Sequence, residues 1–203
     1  MKIAASHEYL EPSRSLDFEH PLVLERAAEL GRQVSDPVEL ASRTFAWVRD
    51  AIRHSQDFQI DDVTCSASET LILRTGFCYA KAHLLVALLR ANKLRAGLCY
   101  QRLRFTGNQY SLHGLCAVEL PELGFYRLDP RGNKPGINAA FTPPREQLAF
   151  QAKDPGEWDD PRVWPRPLRV VTEALRAHRQ RLSLLPELPD VATTQALEHA
   201  PME

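Results

Sequence analysis

Long apolar runs are missing from this 203-residue chain. No stretch reaches the roughly 18 consecutive apolar residues that a bilayer-crossing helix needs, so no membrane span is expected. An excess of either charge is missing too. With 25 Lys and Arg against 26 Asp and Glu, nothing draws the chain as a whole toward polyanions, and nucleic acid is not the favoured partner. The opening MKIAASHEYLEPSRS has no apolar core of about 7 to 15 residues, fails the test for a secretory signal, and predicts a cytoplasmic (cytosolic) setting. Cysteine is sparse: Cys65, Cys78, Cys99 and Cys116 form no CxxC pair. Neither a zinc knuckle nor a thioredoxin-like site is expected, and in a reducing compartment each cysteine has to be explained as a thiol.

What is present reads as a folded unit. Hydrophobic residues at 44% and charged residues at 25% are near globular averages, which excludes a fibre or a disordered tail protein. The length suits one core with a small appendage. The segment HPLVLERAAELGRQV spaces Leu22, Ala27, Leu30 and Val34 as a helix would. Pro37 then opens a second helix, VELASRTFAWVRDAIRH, with Val38, Ala41, Phe45, Val48 and Ile52 as its buried stripe. In SASETLILRTG, Ser66 or Ser68 caps a short helix that Gly76 ends. From Cys78, CYAKAHLLVALLRAN is apolar around most of its circumference and reads as the central buried helix.

After Asn92 the text turns strand-like: RAGLCYQRLRF, then LHGLCAVEL and GFYRLD, the last two joined by a tight PEL connection. Helices followed by strands predict an α+β fold with an antiparallel sheet. A Pro/Gly-rich loop and a proline-punctuated linker lead to a last helix, LRVVTEALRAHRQRL, carried by Leu168, Val171, Leu175 and Leu182. The chain divides into an N-terminal helical segment (1–36), a core (37–150), a linker with a C-terminal helix (151–185) and a tail (186–203) with no packing stripe, expected to fray.

Cys78 carries the most chemistry. The first turn of a helix presents unsatisfied N–H groups and a partial positive charge, which favour thiolate over thiol. A cysteine there is poised to attack a carbonyl carbon, and its own N–H can serve the oxyanion. The same position also suits a small buried hydrophobe. Cys99 and Cys116 lie on strands and read as structural, and nothing supplies Cys65 with a base. His83, about 140° around the helix from Cys78, points away from it. Lys81 is nearer and reads as a solvated side chain.

A thiol nucleophile needs a proton acceptor, and that acceptor needs an orienting group. Strand alternation sets His113, Leu115, Ala117 and Glu119 on one face and Cys116, Val118 and Leu120 on the other. If the apolar faces coincide, Leu128 falls opposite Cys116, Tyr126 opposite Val118 and Gly124 opposite Leu120. That register puts Asp129 opposite Leu115, one same-face step of roughly 7 to 8 Å from His113; a shift by one residue would turn it away. Singly, His113 also fits a packing residue and Asp129-Pro130 a strand-ending turn. A zinc site built from His113, Cys99 and Cys116 fails on alternation, and no metal or cofactor is called for. Arg102 and Arg104, with Arg95 and Lys93, make a basic strip at the strand edge.

Taken together, GFCYAKAHLLVALLRANKLRAGLCYQRL, LHGLCAVEL and GFYRLDP resemble the transglutaminase-like superfamily of papain-like cysteine enzymes, which includes bacterial peptidases and amidases. With the WVRDAI helix, the resemblance covers about residues 37 to 135. It implies Cys78 as nucleophile, His113 as general base and then acid, and Asp129 as the orienter of the imidazole. It also implies a fold in which the cysteine helix packs on an antiparallel sheet bearing the other two. The family often carries an aromatic two residues after the histidine; here Gly114 and Leu115 follow. The expected activity is acyl transfer on an amide or peptide bond through a thioester, with water as acceptor and a peptide or protein as substrate. The alternatives are a catalytically inactive peptide-binding or assembly module, peptide maturation, and transfer to an amine.

Overall fold

The computed structural model describes residues 6–203, so residues 1–5 of the expected N-terminal segment lie outside the described residues. After a 3-10 turn at Ser6–Leu10, helices α1 (Pro21–Gly31) and α2 (Pro37–Ala51) each start on a proline, which lacks only an N–H that a helix leaves unpaired there. Asp36 caps α2, its carboxylate accepting from the Val38 and Glu39 amides, both at 3.2 Å. The predicted α2 stripe is buried at Ala41, Phe45, Val48 and Ile52 and half-buried at Val38. In α1 the buried row is Val23, Ala27 and Leu30, while Leu22 is 45% exposed. The true stripe runs at i, i+4, i+7 from Val23, one position beyond the leucine.

Two short strands, β1 (Arg53–His54) and β2 (Thr75–Gly76), pair in parallel around helix α3 (Ala67–Leu73). Ser66 is the cap of α3, in a reciprocal box with Glu69. Gly76 does not end the helix as expected. Arg74 does, in a left-handed conformation at φ 56°, and Gly76 instead sits opposite His54 in the β1–β2 pair. A Cβ at Gly76 would come within 2.9 Å of both Ala80 Cβ and Thr64 Oγ1, so the missing side chain lets the chain enter the next helix closely.

That next helix, α4 (Cys78–Ala91), is buried at every position from Cys78 to Arg90. It packs on a four-stranded antiparallel sheet, β5-β4-β3-β6, formed by β3 (Ala96–Thr106), β4 (Gln109–Leu120), β5 (Gly124–Leu128) and β6 (Trp158–Asp159). The expected α+β architecture, a helix on an antiparallel sheet, is the one observed. The β4–β5 register is also the one that alternation requires: Cys116 pairs with Leu128, Val118 with Tyr126 and Leu120 with Gly124. The face with Leu112, Cys116 and Val118 joins the main core, while Cys99, Leu115 and Ala117 form a second cluster. Strand β6 leaves no signal in the sequence, because its two residues lie in the proline-rich linker and are too few to show alternation; they pair with Gln101 and Arg102, and Gln101 Nε2 also donates to Asp159 Oδ2 at 2.9 Å.

The C-terminal third departs most from expectation. Helix α5 (Arg169–Ala177) buries Val171 and Leu175, with Leu168 buried at its cap. It stops before Leu182, which is 65% exposed. A short α6 (Arg181–Leu184) follows, docked by Leu184. The tail from 186 onward, expected to fray, is instead held in place. The Leu112 N–H donates to the Pro189 carbonyl at 2.7 Å, α7 (Thr194–Glu198) buries Leu197, and the Glu203 carboxylate accepts from Ser13 Oγ at 2.9 Å and the Ser15 amide at 2.8 Å. These anchors are single residues and backbone groups, and so leave no periodic stripe.

Candidate active site

Two contacts set the first turn of α4 against β4 on either side of His113. The Tyr79 hydroxyl donates to the Leu112 carbonyl. On the other side, a Cβ at Gly114 would lie 2.8 Å from Tyr79 Cδ1 and 3.1 Å from its Cα, so only glycine permits this approach. Cys78, 8% exposed, thereby lines the same cleft as the His113 side chain. His113 Nε2 lies 2.7 Å from Asp129 Oδ2. With Nε2 committed to the carboxylate, Nδ1 is the nitrogen left for the thiol. The three residues singled out in the sequence are thus brought to one site, Cys78 and His113 on one cleft and Asp129 behind the imidazole.

Asp129 is fully buried, and it also accepts the Arg131 amide at 3.1 Å and the Ala149 amide at 3.2 Å. Burial by itself would raise its carboxyl pKa; the His113 charge and these hydrogen bonds outweigh burial and hold it below the usual range. Burial would likewise push the His113 imidazole down, but the Asp129 charge and then Cys78 outweigh that and hold it above its usual value. Phe150 meets the His113 ring edge-on, with centroids 5.0 Å apart. The arrangement can take a proton from a thiol and hold it as an imidazolium.

The other cysteines do not share this setting. Cys65, Cys99 and Cys116 are buried, and burial pushes all three thiols up. His83 packs away from Cys78, with Nδ1 2.8 Å from the Cys65 carbonyl. Lys81, read as solvated, is in fact fully buried. Its ammonium donates to the Ile52 carbonyl and, at 3.1 Å, to the Arg49 carbonyl. It therefore closes the C-terminal end of α2, because the helix leaves those carbonyls without partners. Among the described residues no group of three or more His, Cys, Asp or Glu side chains could hold a metal ion.

Cys78 and His113 open on a cleft of about 260 Å³ that also draws in residues the sequence did not indicate, among them His54, Arg131 and Phe150. His54 is buried, its Nδ1 has no hydrogen-bond partner among the described residues, and burial followed by the Arg131 charge pushes its pKa down to about 3. Arg131 is held by both oxygens of Asp57, at 2.6 and 3.0 Å. His54 and Phe150 sit in irregular or two-residue segments, where no periodicity marks a face. Only the nearness of Arg131 to Asp129 in the chain offered a signal.

A helix whose N-terminal cysteine abuts a histidine and an aspartate on an antiparallel sheet is the papain-like architecture. Residues 25–130 match the family described as the transglutaminase-like superfamily, and the chain belongs to that family. Among solved structures it is similar to a proposed cysteine protease from Cytophaga hutchinsonii, with 18% identity, a TM-score of 0.52, and coverage of 64% of this chain and 43% of that one. It is also similar to the periplasmic domain of TgpA from Pseudomonas aeruginosa with ethylmercury bound, with 20% identity, a TM-score of 0.45, and coverage of 60% and 46%. The chain thus spans less than half the length of either structure. No curated protein matches it significantly.

Proposed function

We propose that this protein is a cysteine-dependent acyl-transfer enzyme that hydrolyses an amide or peptide bond in a peptide or protein through a thioester at Cys78. The supporting observation is that Cys78 and His113 line one cleft, with Asp129 hydrogen-bonded to the His113 ring. His113 takes the thiol proton as sulfur adds to the carbonyl carbon, and Asp129 stabilises the imidazolium that forms. The backbone N–H of Cys78, in the first turn of α4, is one donor to the oxyanion. As the C–N bond breaks, His113 returns the proton to the leaving amine. It then takes a proton from the water that attacks the thioester, and the thiol is restored. This chemistry calls for no cofactor.

The test is the pH dependence of iodoacetamide labelling, read thiol by thiol by mass spectrometry. Cys78 is expected to react faster near neutral pH than the other three, and Cys78→Ala and His113→Ala are each expected to abolish turnover while the circular dichroism spectrum stays unchanged. A Cys78 no more reactive than Cys65, Cys99 and Cys116 would leave a folded peptide-binding module as the better reading. Incorporation of a primary amine in place of water would reassign the acceptor.

A further inference from the structure

One wall of the cleft comes from the C-terminal segment. Leu185 and Leu188 face the same cleft as Cys78, together with Leu103 and Phe105 of β3 and with Phe150. The segment is docked at defined points. Leu112, the residue before His113, donates its N–H to the Pro189 carbonyl at 2.7 Å. Both oxygens of Asp190 accept from the Arg102 guanidinium, at 2.6 and 2.7 Å, and Trp158 Nε1 donates to the Ala192 carbonyl at 3.3 Å.

The charged residues around this wall are engaged elsewhere. Arg131 is bound by Asp57. The Glu157 carboxylate accepts the backbone N–H groups of Arg104, Lys153 and Asp154 at 2.8, 2.9 and 3.1 Å. The Arg104 guanidinium lies near the Tyr110 hydroxyl and the Pro155 carbonyl, at 3.3 and 3.5 Å. The surface left for a ligand beside the thiol is therefore mainly leucine and phenylalanine, with Ser111, Gln56 and Gln151 as the uncharged polar side chains on the same cleft. Phe105 alone is 44% exposed. A charged side chain set against the leucines and phenylalanines would lose water without gaining an ionic partner, and an amide would gain little from them, whereas an aliphatic or aromatic one would gain by leaving water.

We infer that Leu185 and Leu188, with Leu103, Phe105 and Phe150, form the acyl subsite, and that it selects a peptide whose residue on the acyl side of the scissile bond is apolar. The inference rests on the proposed nucleophilic role of Cys78: the acyl part stays attached to the sulfur through both steps, so a pocket continuous with the thiol has to hold it. The C-terminal segment is then a specificity element of the site.

Peptidyl chloromethyl ketones carrying leucine, glutamine or aspartate next to the ketone test this, with iodoacetamide labelling of Cys78 as the side-chain-independent reference. The leucyl reagent is expected to label Cys78 at least about 30-fold faster than the glutaminyl one. Leu188→Asp, and Phe105→Ser at the exposed rim as a variant that spares the core, are each expected to cut that ratio at least about fivefold while iodoacetamide labelling is unchanged. Equal rates for the three ketones, or a leucyl preference that survives both substitutions, would overturn the subsite. A Cys78 that iodoacetamide itself does not label would count against the nucleophile instead. In that event the unreactive leucyl and glutaminyl methyl ketones decide the pocket by thermal shift: the leucyl compound should stabilise the wild type more, and an equal shift would overturn the subsite.

Discussion

Asp129, the residue after the last of β5, reaches diagonally across the β4–β5 ladder to His113, Oδ2 to Nε2, at 2.7 Å. The carboxylate both orients the ring and stabilises its charge. Asp129→Asn removes that charge, so the His113 pKa, held above the ordinary 6.5, is expected to fall toward it. An NMR titration of the ring is the check, and a midpoint unmoved by the substitution would refute it. Linkage gives a second readout. The raised His113 pKa contributes stability that is full below pH 6.5 and fades as pH rises through the folded value. The lowered Asp129 pKa contributes stability that is full above the ordinary carboxyl value of 3.8 and fades as pH falls through the lower folded value. Both contributions should be absent from urea titrations of Asp129→Asn.

Gly114→Ala is expected to destabilise the fold by about 1–3 kcal/mol through overpacking. Its Cβ would meet Tyr79 Cδ1 at 2.8 Å and the Tyr79 amide nitrogen at 3.3 Å, and relief requires the first turn of α4 to move. Slower alkylation of Cys78 should accompany the loss in denaturant midpoint. A variant as stable and as reactive as the wild type would show that this contact does not set the helix.

Lys81→Met leaves the Arg49 and Ile52 carbonyls without their donor and is expected to cost about 1–3 kcal/mol at neutral pH. Burial pushes the Lys81 ammonium pKa down to about 7, from 10.5. Between those values the unfolded chain binds the additional proton, so this group makes stability rise as pH climbs above 7. The variant should lack that rise in guanidinium titrations run from pH 7 to 9.

Glu203→Gln tests whether the tail is fixed. The Glu203 pKa is lowered from 4.5: burial opposes the shift, and the Arg176, Ser13 and Ser15 hydrogen bonds outweigh it. Its stabilisation is therefore full above pH 4.5 and lost as pH falls through the lower folded value. The substitution is expected to cost about 1–2 kcal/mol at pH 7, allowing for solvent screening, and to flatten the acid limb. Faster proteolysis within 186–203 is the independent measure.

Local rules in the sequence were enough for much of this molecule. Pro37 opens α2, Ser66 or Ser68 caps α3, with Ser66 the one used, and the alternation of Cys116, Val118 and Leu120 against Tyr126 and Leu128 favours one register, which places Asp129 on the His113 side. Each of these depends on neighbours in the chain or on a period of two, and both are written in residue order. Tertiary structure alone decided that the Tyr79 backbone comes close enough to Gly114 for Cys78 and His113 to share one cleft. It also decided that Lys81 turns inward to cap another helix, and that Leu185 and Leu188 return to wall the cleft that Cys78 and His113 share. Those outcomes depend on backbone carbonyls, on a missing Cβ and on the packing of distant segments. Such contacts leave no periodic mark in the chain, and they exist only once the helix has settled on the sheet.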